Sequence, residues 1–172
     1  MNIGIVSDTH DNVAAAERAA DVFEAEDVEV VIHCGDFVAP PLLSAFEGFE
    51  LHGVLGNNDG EISGLEATFD ALGEGSELHG RFADLEFDGL SFAALHGESK
   101  AEVEALAAAE TYDVVCYGHH HRRDHTDVGD TTLLNPGAQF PTVPDEHRTV
   151  AVVDTDSASV RFRSVTGSAE SR

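Results

Sequence analysis

The chain has 172 residues, a length typical of one domain that buries a sizeable core. It carries 33 Asp and Glu residues against nine Lys and Arg, for a formal charge of −24. Such a surface repels phosphate backbones, which disfavours bulk nucleic-acid binding, and no apolar run reaches the roughly 20 residues that span a membrane.

Apolar runs and helical patterns alternate over the first third of the chain. Residues 3–6, 28–32 and 51–55 are short apolar runs, the second rich in β-branched residues, and predict three strands. Residues 12–25 have an apolar spacing near 3.6 and predict a helix. A second, short helix is expected after Pro40-Pro41, because proline suits a first helical turn. Strands that alternate with helices imply a parallel sheet with right-handed crossovers.

The rest of the chain predicts a second group of strands. Two alternating runs flank Asp88-Gly89, a dipeptide typical of hairpin turns. We expect one α/β domain over residues 1–166, with two sheets packed face to face and helices outside, followed by a frayed tail at residues 167–172. The remaining elements are helices at residues 65–72 and 101–110 and strands at residues 82–87, 90–94, 114–117, 131–134, 149–153 and 159–165, the last two forming a hairpin.

Metal-capable side chains follow five of the predicted strands, at the point where each strand ends. In open α/β sheets, ligand sites form beyond the carboxyl ends of the strands, and a glycine beside four of these groups lets the backbone turn sharply. Asp8 and His10 are two residues apart, as are His119 and His121, so each pair can face one ion from an extended turn. The candidates are Asp8, His10, Asp36, Asn57, His96, His119 and His121.

The types of these side chains indicate which metals they suit. Carboxylate, amide oxygen and imidazole together favour divalent ions such as manganese, iron, zinc, nickel or cobalt. Cys34 and Cys116 are too few and too far apart for a thiolate-rich zinc site, and each is predicted to be a buried apolar residue. Taken alone, Asp8 would be a helix cap or turn residue, Asn57 a turn residue and His96 a partly buried polar residue. Their joint occurrence in this order favours a metal site.

These motifs resemble, in order, those of the calcineurin-like metallophosphoesterases. The resemblance runs from residue 1 to about residue 155, includes the Asn135-Pro136-Gly137 turn, and is closest to the small single-domain branch of bacterial and archaeal phosphodiesterases. It implies a four-layered α/β/β/α sandwich of two mixed sheets and a divalent-metal-dependent phosphodiesterase. The motifs are Asp8-Thr9-His10, Gly35-Asp36, Gly56-Asn57-Asn58-Asp59, His96 and Gly118-His119-His120-His121.

The resemblance also implies a layout for two metal ions. A water activated between them would attack phosphorus, with Asp36, Asn57 and His96 as the catalytic residues. Manganese is the first expectation for the metal, and nickel, cobalt, iron and zinc are alternatives. One ion would be held by Asp8, His10 and His121, the other by Asn57, His96 and His119, and Asp36 would bridge both.

Asn58 departs from the family pattern, since many relatives have a histidine there that protonates the leaving group. An amide cannot act as a general acid at neutral pH. The neighbouring Asp59 resembles the acid that orients that histidine, and here it is a candidate helix cap. His120 stands where relatives often have a small residue, and it is expected to point away from the ligands. Three arginines are candidates for binding the phosphate group of the substrate, with surface salt bridges as an equal alternative. They are Arg122, Arg123 and Arg148.

Hydrolysis of a small phosphodiester is the predicted function, with phosphomonoester hydrolysis as the nearest alternative. A non-catalytic metal-binding interaction module similar to the retromer scaffold subunit is a further hypothesis; loss of metal ligands would favour it, and none of the expected ligands is missing. The sequence predicts no membrane partner and no bulk nucleic-acid binding. It leaves open the natural substrate and whether the chain forms homo-oligomers.

The acidic residues are scattered along the chain, and Lys100 is its only lysine. Such surfaces resemble those of extreme halophiles, in which concentrated ions screen the self-repulsion. We therefore expect a halophilic protein, with an acidic protein from an ordinary organism as the alternative. The N-terminus shows no basic region and no cleavage site, so a cytoplasmic location is expected.

Overall fold

A computed structural model of the protein describes residues 1–166, and the tail expected at residues 167–172 lies outside them. The strands are β1 (Asn2–Val6), β2 (Val28–His33), β3 (Glu50–Gly53), β4 (Glu77–Leu78), β5 (Phe82–Phe87), β6 (Leu90–Leu95), β7 (Val114–Cys116), β8 (Asp124–Val128), β9 (Thr131–Asn135), β10 (Thr149–Asp154) and β11 (Val160–Ser164). The α-helices are α1 (Val13–Ala25), α2 (Ile62–Ala71) and α3 (Lys100–Ala108), and 3-10 turns lie at Pro40–Phe46 and Asp145–His147.

The first sheet has the strand order β11-β10-β1-β2-β3-β4. Its strands β1, β2 and β3 run parallel, as the alternation of strands and helices predicts. The crossover helix α1 is capped by Asn12, whose side-chain oxygen accepts from the Ala15 N–H. The third strand is shorter than predicted, because the chain leaves the sheet after Gly53 and the Leu55 N–H donates to the Gly80 carbonyl instead.

The second sheet has the strand order β5-β6-β7-β9-β8. The hairpin predicted around Asp88-Gly89 is present as β5 and β6, and the predicted C-terminal hairpin is present as β10 and β11. Strand β8 was not predicted, because Asp-His-Thr-Asp-Val lacks the apolar alternation of a half-buried strand. It is a largely exposed strand at the edge of its sheet. Strand β4 was missed because its two residues are too few to show a period.

Three apolar clusters define a four-layered α/β/β/α sandwich of two mixed sheets, as expected. The middle cluster fills the space between the sheets, where Ile5 and Ile32 of the first sheet meet Phe92 and Cys116 of the second. A second cluster packs α1 and α2 against the outer face of the first sheet, and a third packs α3 against the second. Both cysteines are buried and unpaired, as predicted. Within residues 1–166, no helix has the length and apolarity that a membrane crossing needs.

Candidate metal centre

Five loops at the carboxyl ends of strands bring the seven predicted ligands together. Strands β1, β2 and β3 are parallel in the first sheet, and β6 and β7 are parallel in the second. Backbone hydrogen bonds tie the first two loops to each other: the Asp8 N–H donates to Gly35 O at 3.0 Å, and the His10 N–H donates to Asp36 O at 3.1 Å. The loops after β1, β2, β3, β6 and β7 carry, in turn, Asp8 and His10, then Asp36, Asn57 and His96, and finally His119 and His121.

Asp8, His10 and His121 form one group, whose ligand-type atoms lie within 4.8 Å of one another. Asp8 Oδ1 is 3.4 Å from His10 Nε2 and 3.2 Å from His121 Nε2. Phe140 supports both imidazoles, with its ring centroid 4.6 Å from each of theirs. Gln139, next to it, donates its N–H to Asp8 O at 3.1 Å. The segment after β9 therefore closes this side of the site.

His96, His119 and Asn57 form the group on the other side. His96 Nε2 is 3.3 Å from His119 Nδ1, and Asn57 Oδ1 is 3.2 Å from the same His119 atom. The Nδ1–H of His96 donates to the Cys34 carbonyl at 2.8 Å. That hydrogen bond fixes the tautomer and leaves the His96 Nε2 lone pair directed at the centre of the site.

Asp36 lies between the two groups. Its Oδ2 atom is 3.2 Å from His10 Nε2 and 3.4 Å from His96 Nε2, and atoms of Asp8, Asp36 and His96 form a further set within 4.8 Å. Asn58 holds this carboxylate at both oxygens, because its N–H donates to Asp36 Oδ1 at 2.9 Å and its side-chain amide donates to Oδ2 at 2.8 Å. One carboxylate thus contacts histidines of both groups, while an asparagine fixes its plane.

Asp59 joins two of the loops and does not cap a helix. The cap position of α2 is occupied by Glu61. The buried Asp59 carboxylate accepts from three backbone N–H groups, those of Asp36 at 2.8 Å, Gly56 at 2.7 Å and Val38 at 2.8 Å. Asp59 therefore holds the loop after β2 against the loop after β3, and the helix-capping role considered for it is wrong.

Backbone strain is concentrated in these loops. Eleven non-glycine residues of the described chain have a positive φ, a conformation that costs of order 1–3 kcal/mol at each position. Such strain persists where the surrounding contacts over-determine the backbone, and here the contacts are hydrogen bonds between loops. Seven of the eleven lie in the loops after β1, β2 and β7: Asp8, His10, Asp11, Asp36, Val38, His119 and His121.

Two glycines make room for the carboxylates. A Cβ at Gly56 would overlap Asp36 Oδ1. A Cβ at Gly118 would overlap Ser7 Oγ and lie 2.5 Å from Asp8 Oδ2. A side chain at either position would therefore displace a candidate ligand.

Two buried carboxylates dominate the electrostatics of the site. Asp8 is 0% exposed and Asp36 is 1% exposed, and their charged contacts are imidazoles. Burial alone would raise the pKa of both carboxyl groups, but hydrogen bonds with histidines, His10 foremost, outweigh it and hold each pKa below its usual range. Hydrogen bonding to Asp36 and then to Asp8 raises the pKa of His10 to about 9. The centre of the site therefore favours positive charge.

The donor set fits divalent cations. Two carboxylates, one amide oxygen and four imidazoles suit manganese, iron, cobalt, nickel or zinc. A buried carboxylate needs a compensating charge, and a cation would supply it in place of the protons on the histidines. The residues that could hold such ions are the two groups described above, with Asp36 between them.

His33 is a supporting residue that the sequence analysis missed. It is 0% exposed, its Nδ1 accepts from the Gly35 N–H at 3.1 Å, and its Nε2–H therefore faces Thr9 Oγ1 at 3.1 Å. Burial lowers the pKa of His33 to about 3, so the ring is neutral. The available signal was its position as the last residue of the second strand, directly before the loop of Asp36.

The three arginines considered as phosphate clamps have different surroundings. Arg148 contacts Asp145, which is the salt-bridge alternative. The guanidinium carbon of Arg123 lies 5.3 Å from the ring centroid of Phe162. Within residues 1–166, Arg122 is in none of the ion pairs of Lys and Arg side chains, which are formed by Arg81, Lys100, Arg148, Arg161 and Arg163.

Comparisons with known proteins show which proteins this chain resembles. A family model described as the calcineurin-like phosphoesterase superfamily domain matches residues 1–158. A phosphodiesterase of Methanocaldococcus jannaschii is 36% identical over 166 residues, which are 94% of this chain and 97% of that protein. A solved structure of an archaeal phosphodiesterase is 34% identical with a TM-score of 0.85, covering 95% of this chain and 99% of that one. Vps29 of Entamoeba histolytica has a TM-score of 0.66 at 13% identity, covering 95% and 99% of the two chains, a likeness of fold alone.

Proposed function

The chain belongs to the calcineurin-like phosphoesterase superfamily, and from that premise we propose that it hydrolyses phosphodiesters with a water activated between two divalent metal ions. The observation that carries the proposal is the position of the Asp36 carboxylate. Its Oδ2 atom lies 3.2 Å from His10 Nε2 and 3.4 Å from His96 Nε2. A bridging ligand must face two sets of ligands at once, and Asp36 meets that requirement.

The proposed ligand sets follow the two groups of side chains. When bound, the ions would supply Lewis-acid activation of a water and would neutralise charge on the phosphate. Manganese is the proposed metal, since carboxylate and amide oxygens stand beside the imidazoles. Asp8, His10 and His121 would hold one ion, Asn57, His96 and His119 would hold the other, and Asp36 would bridge them, with Asp36, Asn57 and His96 as the catalytic residues.

Asn58 supplies no proton to the leaving group. Its N–H and its side-chain amide both donate to Asp36, and an amide has no proton to release at neutral pH. Asn58 therefore orients a proposed bridging ligand and cannot serve as the general acid. Positioned acid catalysis contributes about 10²–10⁴-fold, so esters with poor leaving groups should react that much more slowly than they would with an acid in place.

A diester is favoured over a monoester by the relatives, because both the Methanocaldococcus jannaschii protein and the solved archaeal protein are named phosphodiesterases. The non-catalytic alternative draws on Vps29, which at 13% identity shares the fold alone. All seven proposed ligands are present in this chain, and that favours the enzyme.

The experiment that tests the function compares metal-free and reloaded protein. Chelator-treated protein is assayed with bis(4-nitrophenyl) phosphate and with 4-nitrophenyl phosphate, before and after addition of Mn²⁺. We expect hydrolysis after reloading alone, and faster turnover of the diester. Absence of diester hydrolysis with Mn²⁺, Ni²⁺, Co²⁺, Fe²⁺ and Zn²⁺ would contradict the proposal, and faster monoester turnover would replace it with phosphomonoesterase activity.

The role of Asn58 is tested by varying the leaving group. Rates for a series of aryl and alkyl methyl phosphates should fall steeply as the pKa of the leaving alcohol rises. Asn58→His should flatten that dependence if its imidazole reaches the leaving oxygen, although it also removes the amide that holds Asp36. A shallow dependence in the wild type would mean that another group delivers the proton, and His120 would then be examined first.

A further inference from the structure

A cavity of about 460 Å³ adjoins the metal centre on the outer side of the second sheet. His120 lines the cavity, and its ring centroid is 5.3 Å from that of His119, a proposed ligand. Asn135 lines it as well, and its side-chain amide donates to Gly118 O at 3.1 Å, in the loop that lies against Asp8. The lining of the cavity and the proposed ligands are therefore neighbours, both along the loop after β7 and in space.

The size and the lining of the cavity suit an organic ring. The volume lies within the range of about 300–1,000 Å³ that is usual for small-molecule pockets. Val103 and Leu133 provide a buried apolar floor, 2% and 6% exposed. The rings of Tyr117 and His120 stand at 70° to each other with centroids 6.1 Å apart, so a bound ring can stack on one while it meets the other edge to face.

The charges around the cavity favour a ligand with a negative charge. The protein has only nine Lys and Arg residues against 33 Asp and Glu residues. Three of the nine nevertheless line this cavity: Lys100, Arg122 and Arg123. The lining acids already have donors, since Asp124 accepts from the Tyr117 hydroxyl at 2.9 Å and from Thr126 at 3.0 Å.

Two of the three cations that line the cavity already have a neighbour among the described residues. Lys100 lies 3.9 Å from Glu104, and Arg123 lies against the ring of Phe162. Arg122 is thus the cation of the cavity for which the described residues provide neither an acidic partner nor a stacking ring. A guanidinium in this position can form charge-assisted hydrogen bonds with a carboxylate or a phosphate.

We propose that this cavity binds one of the two ester groups of the substrate and selects a group that contains a ring and carries a negative charge of its own. Arg122 is the residue that binds this charge. The inference rests on the proposed function, because the cavity adjoins the metal centre and would receive a group attached to the reacting phosphate. The substrate class is then a diester of a charged cyclic alcohol, a chemistry that a nucleotide provides.

The test uses two chromogenic diesters that differ by one charge. Methyl 4-nitrophenyl phosphate carries an uncharged ring, and methyl 3-carboxy-4-nitrophenyl phosphate carries a carboxylate on the same ring. Metal-loaded wild-type protein is compared with Arg122→Gln at the lowest salt concentration that keeps the fold. Arg161→Gln is the matched control, since it removes the same charge at a site paired with Glu26.

We expect Arg122→Gln to raise KM for the carboxylated ester about three- to tenfold, with little change in its kcat and in either constant for the uncharged ester. Arg161→Gln should leave the ratio of the two esters unchanged. Thr126→Trp, a change at an exposed lining residue, should fill the cavity and raise KM for both esters. Equal KM ratios in wild type and Arg122→Gln would overturn the proposal.

A second measurement tests binding in the cavity independently of the proposed phosphodiesterase activity. Binding of the free leaving group, 5-hydroxy-2-nitrobenzoate, is titrated by NMR with the same three variants, and this readout does not need turnover. Weaker binding to Arg122→Gln and to Thr126→Trp, with unchanged binding to Arg161→Gln, supports the cavity even if neither ester is hydrolysed. Identical binding to all variants rejects it even if both esters are hydrolysed.

Discussion

Carboxylates occupy two contrasting regions of this protein, the floor of the candidate metal centre and the outer surface. In the first region Asp8 and Asp36 are 0% and 1% exposed and are held among imidazoles. In the second region acids such as Glu77 and Asp127 have side chains that are 66% and 71% exposed. The same chemical group is therefore kept charged by two different physical means.

The buried pair depends on fixed geometry, and the surface acids depend on the solvent. Three backbone N–H groups bind Asp59, and the Asn58 amide binds Asp36, so the loops around the pair are set by directional hydrogen bonds. The surface acids repel one another over distances that dissolved salt can screen. The difference predicts that ligand substitutions act on metal binding and turnover, whereas salt acts on folding.

The largest expected effect is that of Asp36→Asn, which removes a charge from the buried region. The variant should lose affinity at both metal positions, because Asp36 faces His10 and His96 at once. A metal clamp is worth several kcal/mol in the transition state, so turnover should fall by about 10³-fold or more. Bound metal and kcat are measured together.

Two variants serve as controls for that change. Asp70→Asn removes the same charge from an exposed position of α2 and should keep both metals and full activity. His10→Ala should lower occupancy mainly at the position shared with Asp8 and His121. Near-normal activity of Asp36→Asn would contradict the bridging role.

The next effect concerns the surface region, where the charge of −24 resists compaction unless it is screened. The melting temperature should be higher in molar potassium chloride than in dilute buffer by about 10 °C, which for a chain of this length is a few kcal/mol. A variant with amides at three exposed positions of α1, Glu17, Asp21 and Glu24, should need less salt. Equal melting temperatures in both buffers would contradict the halophilic character.

A smaller effect comes from His33, which lies beneath the buried region. Its folded-state pKa of about 3 lies below the ordinary value of 6.5, because the ring is buried. The unfolded chain therefore binds a proton more readily than the folded one. The contribution of the neutral His33 ring to the free energy of unfolding is complete above about pH 6.5. Below that pH it falls by about 1.4 kcal/mol per pH unit as the pH drops towards 3.

The measurement is urea unfolding of metal-free protein in high salt, from pH 8 to pH 5. Below about pH 6.5 the free energy of unfolding should fall less steeply for His33→Gln than for the wild type. His125→Gln, which removes a largely exposed imidazole, should keep the wild-type slope. Parallel curves for His33→Gln and the wild type would show that burial of His33 does not govern this pH range.

Most of the fold was predictable, because its buried strands have clear apolar runs. The parallel strands β1 to β3, the hairpin at Asp88-Gly89 and the C-terminal hairpin are confirmed. Strand β8 was missed because its edge position exposes polar side chains, which leaves no apolar pattern to detect. Strand β4 pairs with β3 over Glu77 and Leu78, and so short a pairing depends on tertiary contact.

The sequence predicted the candidate ligands of the site but not the hydrogen bonds that hold those ligands in place. Strand ends followed by Asp, Asn and His indicated which side chains would meet, and the structure brings those side chains together. The hydrogen bonds from Asn58 to Asp36 and from the Asp36 and Val38 amides to Asp59 join residues that are 21 to 23 positions apart, so no local pattern reveals them. Manganese, the binuclear centre, the halophilic character and the cytoplasmic location stay predictions.

The most direct test of the central claim is the metal content and metal positions of the saturated protein. Elemental analysis should give two divalent ions per chain, and a crystal soaked in Mn²⁺ should show two anomalous peaks on either side of Asp36. One peak should lie among Asp8, His10 and His121, and the other among Asn57, His96 and His119. A single ion, or ions bound to surface acids away from Asp36, would contradict the account.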